Sequence, residues 1–433
     1  MLEIKPQSER VFLVGVRAAD EQSQHYQESV SELQHLAKTA GIEVVDIFVQ
    51  NLPRAQGATY VGKGKLQEIS AAAGSKDVST LVFNNNLSPA QSRNISDATK
   101  CNVVDRTELI LHIFAKHART KQAKLQVELA QLDYSYSRLK NLWKHLSRIQ
   151  GGIGFRGPGE TQIEVDRREI RKKIAILKRR LADLQSTAET KRKKRSDLLS
   201  ISLVGYTNAG KSTLFNLLTN ESRYVADQLF ATLDAKTRLI RGKFPRDIAL
   251  TDTIGFIRKL PHKLVESFKS TLVEVVEADL LLHVVDVTHP NLEELIEAVD
   301  KVLQEIKADD IDTLLIFNKC DLDDSTYFKF LKKKLSQEYP HSVFISAKQE
   351  MGIEQLLQKI NYFIEQQDRT TKLRVPLQLP KLIDFIYSNA KVLSEELDAE
   401  NNEQVMEVEI DAEILQNIQN QIEKYRLQQY INS

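Results

Sequence analysis

Along the first hundred residues the hydrophobic pattern keeps changing character. Short β-branched runs at 11–16, 42–49, 78–83 and 103–104 alternate with helical stretches at 26–39, 65–73 and 88–99. Continuous apolar runs separated by helical periodicity are what parallel strands joined by crossover helices require. They predict a small parallel α/β domain over residues 1–115. Between its second strand and the following helix lies Thr59-Tyr60-Val61-Gly62-Lys63-Gly64-Lys65. Lys63 and Lys65 at a helix start are candidates for receiving a phosphate of RNA or nucleotide, with an ordinary basic turn as the alternative.

From about residue 116 the pattern becomes heptad-like. Leu125, Leu129, Leu132, Tyr136, Leu139, Trp143 and Leu146 follow at alternating intervals of four and three. A second stripe runs through Ile163, Ile170, Ile174, Leu177, Leu181 and Leu184, with Arg167 in one seam position. Two stripes joined by a loop describe an antiparallel helical hairpin over residues 116–196. The loop, 151–161, holds five of the 16 glycines together with Phe155 and Arg156. It is either a plain connector or a tip that moulds to RNA, Phe155 supplying a stacking ring and Arg156 charge.

Strand and helix then alternate again, with strands predicted at 198–204, 248–251, 279–285, 313–317 and 342–345. This is a doubly wound α/β domain over 197–368, with binding loops at the carboxyl ends of its strands. A small C-terminal α/β domain, 369–433, is read from a helix at 381–390, strands at 392–398 and 404–410, and a last helix at 413–428.

Composition adds two constraints. The net charge of +1 conceals a basic segment at 116–195, where 22 lysines and arginines face 8 acidic residues. The segment carries +14 and the remainder −13, the asymmetry a polyanion-binding surface needs, although a solvated helix face has it too. Two widely spaced cysteines, Cys101 and Cys320, fit reduced thiols, and the absence of long apolar runs argues against a membrane span or secretion signal. A cytoplasmic monomer is expected.

The chemistry lies in the second α/β domain. Gly205-Tyr206-Thr207-Asn208-Ala209-Gly210-Lys211-Ser212-Thr213 follows one strand and opens a helix. That context makes G-x-x-x-x-G-K-S a phosphate-binding loop: backbone N–H groups cradle phosphates, Lys211 reaches the β and γ phosphates, and Ser212 ligates Mg2+. Asp252-Thr253-Ile254-Gly255 ends the next apolar strand, placing Asp252 to hold Mg2+ and the Gly255 N–H to sense the γ phosphate. In the intervening Phe230-Ala231-Thr232-Leu233, Thr232 is placed to complete the Mg2+ shell, and spacing alone does not choose it over Thr237. Asn318-Lys319-Cys320-Asp321 follows the 313–317 strand, and the Asp321 carboxylate suits the N1 and 2-amino protons of guanine. Ser346-Ala347-Lys348 follows the last strand, with the Ala347 N–H directed to the base O6. A nucleotide kinase shares the first loop, but Asp321 argues for guanine.

These motifs place the domain among the translation-factor-related P-loop GTPases, and the wider chain resembles the HflX family of ribosome-associated GTPases. The resemblance rests on YVGKGK at 60–65, GGIGFRGPGETQIEVDRR at 151–168, GYTNAGKST at 205–213, FATLD at 230–234 and DTIGFI at 252–257. It implies binding to the large ribosomal subunit and a role in splitting or rescuing stalled ribosomes. The alternative is an RNA-binding assembly scaffold that uses nucleotide as a clamp. Phe256 stands where Ras-type enzymes carry a water-positioning glutamine, so the free protein is expected to turn over GTP slowly until ribosomes stimulate it. Asn208 sits where potassium-stimulated relatives hold a monovalent cation; K+ is therefore a candidate cofactor beside Mg2+, against a purely loop-stabilising role. The N-terminal region has no second phosphate loop of this kind, so ATP hydrolysis is not expected there.

Overall fold

The computed structural model describes residues 9–19, 23–149, 158–193, 198–220, 230, 235–244, 247–257, 272–322, 325–398 and 401–432. The N-terminal unit comprises β1 (Arg10–Ala18), α1 (Ser23–Ala40), β2 (Glu43–Leu52), α2 (Lys63–Lys76), β3 (Thr80–Phe83), α3 (Pro89–Thr99), β4 (Asn102–Val104) and α4 (Arg106–His117). Its four strands are all parallel, in the order β2-β1-β3-β4. Six consecutive residues of β1 are buried because helices cover both faces of the sheet. Phe12, Val14, Ile69 and Ile95 fill one side, while Val11, Leu13, Leu33, Leu36, Ile110 and Phe114 fill the other. Helix α4 was not anticipated from the pattern, because residues 106–117 carry buried positions all around and lack a clean stripe. A reciprocal capping box between Asp105 and Glu108 starts it.

Helices α5 (Lys121–Ile149) and α6 (Pro158–Lys193) form the expected hairpin, with Leu125, Leu129, Leu177 and Leu181 buried in its seam. Twenty-nine residues of α5 extend about 44 Å at 1.5 Å each. The seam's odd member is explained by its partner: the guanidinium groups of Arg167 and Arg171 lie 5.8 and 5.2 Å from the Tyr136 ring centre. Arg171 Nε also donates to the Tyr136 hydroxyl at 2.5 Å. The loop is shorter than the sequence suggested, since α6 already begins at Pro158, whose fixed φ suits a first helical turn. Phe155 and Arg156 lie outside the described residues, as do the side chains of Leu139, Trp143, Leu146 and Ile163.

At its base the hairpin is tied to the N-terminal unit through a buried carboxylate. Asp105, already capping α4, accepts from the Tyr134 hydroxyl and, at 3.0 Å, from Arg138 Nη1. Arg138 Nη2 reaches Ser92 Oγ at 2.6 Å, so one arginine of α5 holds both α3 and α4.

The central unit runs β5 (Leu199–Gly205), α7 (Lys211–Thr219), β6 (Lys236–Ile240), β7 (Ile248–Asp252), α8 (Val273–Val276), β8 (Leu280–Asp286), α9 (Leu292–Ile306), β9 (Thr313–Asn318), α10 (Thr326–Glu338), β10 (Val343–Phe344) and α11 (Ile353–Gln367). The strand order is β10-β9-β8-β5-β7-β6, with only the edge strand β6 antiparallel. Pattern reading missed β6 because a half-exposed edge strand, KTRLI, buries only Ile240.

Helix α11 leads directly into β11 (Asp368–Pro376), then α12 (Pro380–Asn389), β12 (Lys391–Asp398), β13 (Glu403–Asp411) and α13 (Ala412–Asn432). The antiparallel sheet β11-β13-β12 packs Val375, Met406, Val408 and Ile410 against Leu382, Ile386 and Ile418. Its strand β11 was absent from the sequence reading: the run DRTTKLRVP alternates, but its charges masked the pattern.

Candidate guanine-nucleotide site

Five loops meet at the carboxyl ends of β5, β7, β8, β9 and β10, the edge where an open parallel sheet binds ligands. The phosphate loop leaves β5 at Gly205 and enters α7 at Lys211. Asn208 at its crest is exposed and adopts φ 62°, the left-handed conformation that asparagine tolerates. Gly210, with φ 98°, is required twice over, because a Cβ there would lie 2.0 Å from Asn318 Nδ2. Ala209 is buried, and Thr213 lies in the first turn of α7.

Lys211 is buried against its own loop, donating to the carbonyls of Gly205 at 3.0 Å and Tyr206 at 2.8 Å. Burial lowers its pKa to about 8, opposed by the nearby Asp252 carboxylate. A phosphate entering the loop offers this ammonium a far stronger partner than two neutral carbonyls.

Ser212 Oγ donates to Asp252 Oδ2 at 2.7 Å, joining the start of α7 to the end of β7. A hydroxyl and a carboxylate, both hard oxygen donors beside the phosphate cradle, fit Mg2+. Ser212 and Asp252 would hold the ion, which would supply positive charge against that developing during phosphoryl transfer. Thr253 Oγ1 is turned away and donates to the Leu203 carbonyl at 2.5 Å. Ala231, Thr232 and Leu233 fall outside the described residues, whereas Thr237 lies in β6 bonded to Thr251 Oγ1 at 2.9 Å.

The segment after Asp252 is locked onto the phosphate loop. Thr207 N donates to the Phe256 carbonyl at 2.7 Å, and Phe256 N to the Gly205 carbonyl at 3.1 Å. This close approach needs Gly255: a Cβ there would stand 2.7 Å from Thr207 Cγ2 and 3.0 Å from Lys211 Nζ. The Phe256 ring is buried among Val204, Leu272, Val275, Leu281 and Val299, on the core side of the sheet. Ile254 and Ile257 point elsewhere, into the N-terminal core beside Leu33 and Phe114, where Phe230 packs edge-on against Phe114 at 4.7 Å.

At the base end, Asn318 is a tie rather than a base contact. Its Nδ2 donates to the Ala209 carbonyl at 2.8 Å, and its Oδ1 accepts from Ala347 N at 3.0 Å. The Ala347 N–H, expected at O6 of the base, is thus engaged by Asn318 and must be released or shared when a base enters. Lys319 pairs with Asp286 at 2.7 Å, and Asp286 also accepts from Thr288. Asp286 was missed in the sequence reading, although a carboxylate ending the apolar strand LLLHVVD is the same signal that identified Asp252. Asp321 is half-buried, Ser346 is buried, and Lys348 is exposed. Lys63 and Lys65 lie in the N-terminal unit: Lys63 is exposed at the first position of α2, and Lys65 pairs with Glu68 at 2.7 Å.

A phosphate loop, a hydroxyl–carboxylate pair for Mg2+ and the Asn318-to-Asp321 base loop on one doubly wound sheet define a P-loop GTPase. The chain matches three family profiles in succession: "GTP-binding GTPase N-terminal" over 27–115, "GTP-binding GTPase Middle Region" over 117–195 and "50S ribosome-binding GTPase" over 200–319. It is 40 % identical to a GTPase HflX of Caldanaerobacter subterraneus, over 97 % of this chain and 95 % of the relative. It is 44 % identical to that of Escherichia coli K12, over 83 % of this chain and 84 % of the relative. A GTP-binding protein of Sulfolobus solfataricus solved with GDP aligns at 28 % identity over 83 % of this chain and 99 % of that one, with a TM-score of 0.44. The chain belongs to the GTPase HflX family, and it hydrolyses GTP.

Proposed function

We propose that this GTPase is a switch on the large ribosomal subunit, acting in the splitting or rescue of stalled ribosomes. The observation that carries the reading is the mechanical continuity from nucleotide site to hairpin. Phe230, Ile254 and Ile257 flank the γ-phosphate position in sequence and are buried in the same core as Phe114 of α4, on which the hairpin stands through Asp105 and Arg138. A rearrangement around the γ phosphate therefore acts on the base of a lever about 44 Å long. The lever carries the +14 segment, a charge suited to ribosomal RNA. The profile name "50S ribosome-binding GTPase" over 200–319 supports the same partner.

In this reading Phe155 and Arg156, between α5 and α6 in the sequence, contact RNA together with Lys63 and Lys65 of α2. Mg2+ is held by Ser212, Asp252 and Thr232, and K+ by Asn208. The functional units are 1–115, 116–196, 197–368 and 369–433, working as a monomer in the cytoplasm. Among the described residues no helix is long and apolar enough to cross a membrane. The test is GTP hydrolysis with and without purified large subunits. Stimulated multiple turnover is the expected result; tight nucleotide-dependent binding without stimulated turnover would instead favour an assembly scaffold.

A further inference from the structure

Helix α1 has two working faces. Leu33, Leu36, Ala37 and Ala40 are buried against the N-terminal sheet, whereas His25, Glu28 and Glu32, spaced three and four apart, face the GTPase unit. His25 Nε2 lies 2.6 Å from Glu294 Oε1, and Glu28 Oε2 accepts from Asn291 Nδ2 at 3.0 Å. These two contacts fasten α1 to the start of α9. The third goes to the nucleotide site itself, since Glu32 Oε1 accepts from the Tyr206 hydroxyl at 2.9 Å.

Glu32 is held from behind. Arg106, 1 % exposed at the start of α4, brings Nη2 within 3.0 Å of the same Oε1. Arg106 Nη1 donates to Asn84 Oδ1 at 2.9 Å, and Asn84 Nδ2 donates to Ser29 Oγ at 2.9 Å, one turn before Glu32. The ring of α1, β3 and α4 groups leaves the carboxylate little freedom, and a charged acceptor strengthens its bond to the phenol.

Tyr206 lies where the phosphate loop meets both Lys211 and the segment after Asp252. Its carbonyl accepts from Lys211 Nζ, its backbone bridges Phe256, and the adjoining Thr207 N–H closes that bridge. We propose that Glu32 is a positioning residue for GTP hydrolysis: through the Tyr206 hydroxyl it fixes the start of the phosphate loop relative to Lys211 and the Gly255–Phe256 segment. Phosphoryl transfer depends on fixed charges and short tolerances, so a loop free to shift lowers turnover more than ground-state binding. The backbone amides that bind the phosphates move with the loop and keep most of the affinity.

The test is steady-state GTP hydrolysis by the full chain carrying Tyr206→Phe, which deletes one hydroxyl and keeps the ring. We expect kcat to fall about fivefold to twentyfold, short of the hundredfold that a 1 Å misplacement can cost. KM and the directly measured GTP affinity should stay within about twofold, and the thermal midpoint should fall no further than the loss of one hydrogen bond explains. Glu32→Gln retains an acceptor and should lose less activity than Glu32→Leu. If Glu32→Leu unfolds because Arg106 is left unpaired, the double variant Glu32→Gln/Tyr206→Phe decides, and its kcat should match Tyr206→Phe alone. A wild-type kcat for Tyr206→Phe, a loss confined to KM, or multiplicative losses in the double variant would each overturn the proposal.

Discussion

Ser212 Oγ and Asp252 Oδ2 stand 2.7 Å apart, joining two motifs separated by forty residues. That bond uses the hydroxyl's proton and one lone pair of Oδ2, so the Oγ lone pairs remain for Mg2+ while Asp252 is held beside it. Asp252→Asn should cut the Mg2+-dependent gain in GTP affinity at least about tenfold, equivalent to 1.4 kcal/mol, while affinity in excess EDTA changes little. Fluorescent-nucleotide titrations across Mg2+ concentrations measure both, and an equal loss with and without metal would assign Asp252 another role.

Asp321, half-buried in the turn after β9, is the carboxylate proposed to accept from the guanine N1 and 2-amino groups. Asp321→Asn should weaken GTP binding by about 1–3 kcal/mol per lost partner and shift preference toward xanthosine triphosphate. Competition between the two nucleotides reads this directly. Unchanged GTP preference would mean that the base is selected elsewhere.

Much of this site was legible in the sequence because its chemistry is local. A phosphate loop is a run of eight contiguous residues from the end of a strand into a helix, and Asp252 and Asn318 end apolar runs that periodicity exposes. The contacts to the N-terminal unit were not legible. Glu32 and Tyr206 are 174 positions apart, and nothing about an exposed-looking Glu on an amphipathic helix distinguishes a domain contact from a solvated charge. The same holds for Asp105, whose capping role in Asp-x-x-Glu is readable while its bonds to Tyr134 and Arg138 are not. Arg167 in the hairpin seam was visible as an exception, and only the structure supplied the Tyr136 ring that accommodates it.

Arg138 is the main cationic partner of the buried Asp105. Arg138→Met keeps the aliphatic stem but strands that carboxylate, which costs about 3–5 kcal/mol when a buried pair loses one member. Denaturant titration should show the N-terminal unit destabilised by that order, with GTP affinity of the folded protein little altered. A loss below about 1 kcal/mol would place the pair among weak surface bridges.

His283 in β8 is buried, and its pKa is lowered to about 3 by burial, with Lys211 adding to the effect. It is neutral in the folded chain, and in the unfolded chain it takes up a proton near pH 6.5. Between pH 6.5 and 3 the unfolded state binds more protons, so stability falls as pH falls, by about 1.4 kcal/mol per unit from this group alone. His283→Leu should flatten the decline between pH 7 and 5 relative to wild type. Parallel declines in the two proteins would show that the imidazole does not drive acid sensitivity.

Phe256 follows Gly255, yet its ring lies in the core with Val204, Leu281 and Val299 while its backbone ties the phosphate loop. The ring therefore takes no part in orienting water, and the missing organising group must come from a partner or from a cation near Asn208. Phe256→Ala leaves a cavity, and its expected cost is about 3–5 kcal/mol of stability. The basal GTPase rate of the protein that remains folded should drop by far less than the hundredfold that loss of a direct catalytic group can produce. Phe256→Leu, which retains most of the volume, should restore stability and leave the basal rate near wild type. Replacing sodium with potassium separates the two sources of help. If Asn208 holds the cation, potassium accelerates basal hydrolysis and Asn208→Ala abolishes the difference while ribosome stimulation partly survives; equal rates in both salts assign the missing group to the partner alone. A hundredfold loss in Phe256→Leu with nucleotide affinity intact would mean that the ring reaches the nucleotide during turnover, contrary to its place in the core.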